Sequence, residues 1–179
     1  IYGKEQAEQE YALGYAGPQR EIERLGGMNA PDTRLHLDLT GRNPDDGLTD
    51  IAYEKGAAFL RTIESIVGRE RFDAWLKGWF ERHAFEPVTS AIFLADIREN
   101  LVKGDAALEQ KLMLDEWVYQ PGLPSNVFKP NPAVFAEVDQ AAQRFANAQR
   151  APAQLWKSWT TQERLRFLNK LPRKTPEPQ

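Results

Sequence analysis

Asp38-Leu-Thr-Gly-Arg-Asn-Pro-Asp-Asp-Gly-Leu-Thr-Asp-Ile-Ala-Tyr-Glu-Lys-Gly-Ala-Ala-Phe-Leu60 joins a polar, turn-rich loop to an apolar-striped helix. Gly41, Pro44 and Gly47 break any regular period in the first half. Thr49 or Asp50 then supplies a side-chain cap. The pattern predicts a helix whose buried stripe is Ala52, Phe59, Ile63 and Ile66, closed by Gly68 in a left-handed conformation. Asp45, Asp46, Asp50, Tyr53, Glu54 and Lys55 fall within eleven positions of this junction, the densest run of chemically capable side chains in the chain.

Outward from there the reading is helical. Residues 1–16 carry Tyr2, Ala7, Tyr11 and Tyr15 near helical spacing, and Pro18 opens a short helix through Leu25 that Gly26-Gly27 stops. Leu35, Leu37 and Leu39 alternate with His36 and Asp38, which fits a short extended segment inside a long irregular stretch. Loops of that length in compact domains are often functional. Further helices are expected over 69–84 (Phe72, Trp75, Leu76, Trp79 and Phe80 apolar), over 89–102 capped by Thr89 or Ser90, and over 105–118. Short joints between them imply antiparallel neighbours. Residues 120–132 hold four of the twelve prolines and mark a boundary, after which helices are expected over 132–149 and from the capping box Thr160-Thr-Gln-Glu163 onward. No confident strand pair and no fixed-period repeat occurs, so the fold class is all-α.

Composition narrows the function classes. With 41% hydrophobic and 27% charged residues the chain is an ordinary globular sequence, and a net charge of −3 argues against nucleic acid as partner. No apolar run is long enough to span a bilayer. The absence of cysteine removes disulfide, thiolate and cysteine-ligated zinc chemistry and leaves cytoplasm and periplasm equally open. The chain starts at Ile1, so it reads as a fragment or processed product.

Each candidate for chemistry has a structural counterpart. The only histidines, His36 and His83, are not spaced as ligands; they read as packing or helix-end residues, and this segment alone cannot build a three-ligand zinc site. Trp75 and Trp79 with Phe72 and Phe80 read as core rather than groove. The acids of 45–50 lack calcium-loop spacing and read as solvated turn carboxylates. Arg164, Arg166, Lys170, Arg173 and Lys174 read as a solvated basic face. Tyr53, at a helix start, either packs with its hydroxyl in water or, in a dry cleft, donates a hydrogen bond to a developing oxyanion.

Asp38-Leu-Thr, Pro44-Asp45 and Ala52-Tyr53-Glu54-Lys55-Gly56, followed by Trp117-Val-Tyr-Gln-Pro-Gly-Leu-Pro124, resemble in order and spacing the zinc aminopeptidases of the aminopeptidase N and leukotriene hydrolase family. The resemblance covers most of residues 1–130 and is looser over 131–179. It implies that 1–119 is the helical second half of a thermolysin-like catalytic domain, 120–132 a proline-rich linker, and 133–179 the start of a helical, armadillo-like C-terminal domain. Zinc would be held by a His-Glu-x-x-His motif and a later glutamate, all before Ile1, so no metal ligand is assigned here. Tyr53 would polarise the scissile carbonyl and stabilise the tetrahedral intermediate opposite the zinc. Asp45 and Pro44 would line the substrate pocket. Gly26-Gly27-Met28-Asn29 only partly resembles the family's loop for the substrate amino terminus, since Asn29 stands where that loop has glutamate; it reads as a helix stop. Epoxide-hydrolysing members carry tyrosine where this chain has Leu48, which implies plain peptide cleavage. The expected partners are peptide substrates and the remainder of the same polypeptide. The other function class considered is a non-catalytic helical interaction module.

Overall fold

The computed structural model describes residues 3–148 and 153–171. Tyr2, the end of the helix expected to reach 149, and the tail from 172 with Arg173 and Lys174 lie outside the described residues. In chain order the helices are α1 (Lys4–Gly14), α2 (Ala16–Arg24), α3 (Ile51–Val67), α4 (Arg69–Arg82), α5 (Ser90–Asp96), α6 (Ala106–Leu112), α7 (Leu114–Tyr119), α8 (Ala136–Ala148), α9 (Ala153–Ser158) and α10 (Thr161–Lys170). No strand occurs among the described residues, which gives the expected all-α class.

The chain forms two compact units, one of residues 17–128 and one joining residues 1–16 to those from 129 onward. The smaller unit is built on Phe135, Val138, Ala141, Ala142, Trp159 and Phe167. Its capping box is complete: the Thr160 amide donates to the Glu163 carboxylate at 2.7 Å, and the Glu163 amide donates to the Thr160 hydroxyl at 3.3 Å. Arg166, expected on a solvated face, instead makes a two-pronged ion pair with Asp139 of α8 at 2.8 and 2.7 Å. Arg164 likewise turns back, donating to the Trp156 carbonyl at 3.1 Å.

The larger unit packs α3 to α7 around Phe59, Ile63, Phe72, Trp75, Trp79, Leu94, Leu112 and Trp117. Trp117 is wholly buried, stacks on Phe59 at 5.2 Å between ring centroids, and donates its indole N–H to Asn126 at 3.0 Å. Residues 120–128 belong to this unit. Between α3 and α4 a single glycine suffices: the Gly68 amide closes α3 on Glu64, and its carbonyl accepts from Phe72 at 3.0 Å in the first turn of α4. Its φ of 85° is positive as expected, but a ψ of 153° makes it extended rather than left-handed helical.

Three expected helices differ in detail. The α3 stripe is Ile51, Lys55, Phe59, Thr62 and Ile63; Ala52 is exposed, because the register is set one residue earlier by Ile51. The helix expected over 89–102 is capped by Thr89, whose hydroxyl accepts from Ile92, but it widens after Asp96 into a π-helical turn, Ile97–Val102. The helix expected over 105–118 is cut at Met113, which adopts φ 50° and ψ 45°. Asn126 stabilises the break: its side-chain amide donates to the Lys111 and Leu112 carbonyls at 2.8 and 3.1 Å. Phe80 also departs from the aromatic core and is 65% exposed. Residues 34–39 pair with no strand; the His36 amide donates to the Val118 carbonyl at 3.0 Å.

Candidate active site

The loop before α3 is held by local polar chemistry. Asp38 accepts from the Thr40 amide at 3.0 Å, and bonds from Thr40 hold its carboxyl below the usual range. Arg42 reaches back in a two-pronged pair to Asp32 at 2.7 and 3.1 Å, which lowers the Asp32 pKa. Asn43 caps a 3-10 turn, Pro44–Gly47, by accepting from the Asp45 amide at 3.1 Å. Pro44 suits the first position of such a turn, where its missing N–H has no partner to lose. Pro44 and Asp45 are both exposed, and Leu48 is 81% exposed.

The start of α3 is fixed from inside. Asp50 precedes it without a side-chain cap bond; its amide instead donates to Glu21 of α2 at 3.2 Å. Glu21 is buried and paired with Arg24 at 2.8 and 2.6 Å, and that pairing lowers its pKa. A carboxylate at this helix N-terminus is electrostatically favourable, and α2 supplies it. Glu54 packs its carboxylate over Gly17, in the space a Cβ there would fill.

Lys55 lies in the buried stripe with 0% exposure. Its ammonium donates to the Thr33 carbonyl at 3.1 Å and the Gln120 carbonyl at 2.8 Å. Burial, with Arg34 adding like charge, pushes its pKa down to about 8. The two stretches that carry the sequence resemblance, 52–56 and 117–124, are thus directly bonded to each other.

Tyr53 stands two residues before Lys55 on the other side of the helix. Its side chain is 78% exposed, and among the described residues no partner meets its hydroxyl. The phenol therefore faces solvent in this segment, rather than a closed cleft. Tyr53, Asp45 and Pro44 sit on one continuous piece of chain, the capped turn and the helix start it feeds. His36 and His83 are placed elsewhere: His36 lies edge-on to Tyr119 at 5.3 Å, and His83 packs on Trp79 at 4.0 Å and bonds Asp96 at 3.2 Å. Among the described residues no group of three His, Asp or Glu side chains converges as a metal site.

The sequence singles out Lys55 in the junction cluster and gives it no role, and it singles out neither Glu21 nor Thr33. Lys55 had one legible signal, its place in the 51-55-59-63 spacing of a buried stripe. Nothing local marks Glu21 or Thr33, whose partners lie 29 and 22 residues away.

Residues 28–117, just over half of the chain, match the Peptidase family M1 domain. Among relatives, the chain is 32% identical over 114 residues to "Leucine aminopeptidase 2" of Coccidioides immitis, covering 63% of this chain and 18% of that protein. It is 40% identical over 95 residues to the protein of the same name from Aspergillus terreus, covering 51% and 15%. It is 33% identical over 104 residues to "Leukotriene A-4 hydrolase homolog" of Botryotinia fuckeliana, covering 57% and 16%. The chain thus spans less than a fifth of the length of these relatives. The matched span runs from the loop before α3 to Trp117 of α7, taking in the capped turn, Tyr53 and Lys55, and it shows that the chain belongs to peptidase family M1.

Proposed function

We propose that residues 17–128 are the helical part of the catalytic domain of a zinc-dependent aminopeptidase that removes N-terminal residues from peptides, and that the helices from 133 onward begin a C-terminal domain. The observation that carries this reading is the two-sided start of α3. Its inner face is fixed through Ile51, Asp50 and Lys55, while Tyr53 projects outward unpartnered from the same turn. An exposed phenol on a rigid helix start is suited to donate its proton in a hydrogen bond to the oxyanion of a tetrahedral intermediate. Asp45 and Pro44, on the capped turn immediately before, form the adjoining wall of the substrate pocket. The peptidase family and the aminopeptidase names of the relatives support this assignment. Zinc would be held by residues outside this segment and would supply the activated water; among the described residues no group of side chains fits it. Tyr53 gains its closed surroundings only when that other wall is present.

The test uses leucine para-nitroanilide. The full polypeptide carrying this segment hydrolyses it with zinc bound, and residues 1–179 alone, dialysed against zinc, do not. Turnover by the isolated segment overturns the half-site assignment, and absence of turnover by the zinc-loaded full polypeptide overturns the aminopeptidase assignment.

A further inference from the structure

Lys55 is part of a buried polar knot that extends beyond its own two bonds. Thr33 is 0% exposed; its carbonyl accepts from Lys55, while its hydroxyl donates to the Ala30 carbonyl at 2.6 Å and accepts from the Gly122 amide at 2.8 Å. Gly122 has φ +70° and lies so near residue 28 that a Cβ would stand 2.6 Å from the Met28 carbonyl oxygen. Three segments that are remote in sequence, 28–33, the second turn of α3 and 120–122, therefore meet at one amine.

A side chain that only filled the stripe would be apolar. A buried amine loses hydration that its new partners only partly return, and burial correspondingly lowers its pKa to about 8. What the amine adds over an aliphatic side chain is direction. Two carbonyls on two separate turns fix the azimuth of α3 about its own axis. Tyr53 is two residues away, roughly 200° around the helix, so any rotation of α3 swings the phenol. A phenol oxygen roughly 8 Å from the axis moves about 1.4 Å for a rotation of about 10°. Misplacement of about 1 Å is enough to cost on the order of a hundredfold in rate.

We propose that Lys55 is a positioning residue for the reaction: its two bonds, to the Thr33 and Gln120 carbonyls, lock the first turns of α3 and so set where the Tyr53 hydroxyl stands. This rests on the assignment of Tyr53 as oxyanion donor. Lys55 touches no substrate. It acts through the helix, and Thr33 acts through Lys55 and Gly122.

The experiment compares Lys55→Met, Thr33→Val, Thr33→Ser and Tyr53→Phe in the zinc-loaded full polypeptide with leucine para-nitroanilide, alongside amide hydrogen exchange. In Lys55→Met, kcat falls about tenfold or more while KM stays within about twofold, zinc content is unchanged, and exchange at amides 50–56 quickens about tenfold while that of α4 does not. Thr33→Val keeps the carbonyl that Lys55 bonds but removes the hydroxyl that holds it against Ala30 and Gly122; it lowers kcat less than Lys55→Met does, and Thr33→Ser, which keeps the hydroxyl, restores it to within about twofold. A folded Lys55→Met enzyme with wild-type kcat overturns the proposal even if its Tm is lower. Should Lys55→Met not fold, Lys55→Gln, whose shorter side chain cannot span both carbonyls, decides: wild-type kcat in a folded Lys55→Gln enzyme overturns it. Normal turnover by Tyr53→Phe would instead overturn the Tyr53 assignment beneath it, whereas slow Tyr53→Phe with normal Lys55→Met removes Lys55 alone.

Discussion

Raising the pH from 7 to 9.5 stabilises the larger unit through Lys55, and Lys55→Met abolishes that gain. The side chain is 0% exposed and its pKa is pushed from 10.5 down to about 8. Below pH 8 the lysine is protonated both folded and unfolded, and the folded state carries the whole penalty of a buried charge. That penalty is the pKa difference at 1.36 kcal/mol per unit, or about 3 kcal/mol. Between pH 8 and 10.5 the folded chain has lost the proton while the unfolded chain still holds it. Stability therefore rises with pH across this window. At pH 9.5 the remaining penalty is about 1 kcal/mol, so the gain over pH 7 is about 2 kcal/mol. The neutral amine keeps two N–H donors, enough for the Thr33 and Gln120 carbonyls. Other groups titrate in the same range, so the observable is the difference between wild type and Lys55→Met. Urea unfolding followed by tryptophan fluorescence reports this unit through Trp75, Trp79 and Trp117. At pH 7 the variant is the less stable, because two buried carbonyls lose their donor at about 1–3 kcal/mol each. Its deficit widens by about 2 kcal/mol at pH 9.5. A deficit that stays constant or shrinks refutes the buried-ammonium account.

Two further substitutions test how the larger unit is held. Asp96, 4% exposed at its side chain, accepts from Trp75 at 2.9 Å, from Arg82 at 2.7 and 2.8 Å, and from His83 and Asn100 at 3.2 Å. Burial raises its pKa, but the bonds from Arg82, Trp75 and His83 outweigh burial and leave it below the usual value. That contribution is present above about pH 3.8 and is lost as pH falls through the lowered value; Asp96→Asn, measured by urea unfolding, costs about 3 kcal/mol at pH 7 and flattens the acid limb. Asn126→Ala removes the donor to two freed carbonyls and the acceptor for the Trp117 indole, and lowers stability by about 2–3 kcal/mol in the same assay.

Where neighbours in sequence decide the structure, the residues could be read directly. Pro44 and Gly47 mark a turn-rich loop, the Thr160 and Glu163 pair marks the start of α10, and the apolar period marks α3 and α4. Structure set by distant partners could not be read this way. Met113 breaks a plausible helix because Asn126, thirteen residues on, takes up the carbonyls the break exposes. The place of Lys55 is fixed by Thr33 and Gln120, acceptors that arrive from 22 and 65 residues away. Ala52 then yields the stripe to Ile51. The helix α9 spans only six residues, too few for a period to show. The candidate site was legible for a different reason: Tyr53 and Asp45 lie in a compact local motif, whereas Glu21 and Thr33, which hold that motif in place, carry no local mark.

The most direct test of the account is kcat for Tyr53→Phe, measured on leucine para-nitroanilide in the full polypeptide at matched zinc content. Removing one hydroxyl from an exposed ring leaves the fold intact. The account predicts a fall in kcat on the order of a hundredfold or more, the scale of one oxyanion donor, with KM little changed. Turnover within a few-fold of wild type would contradict it.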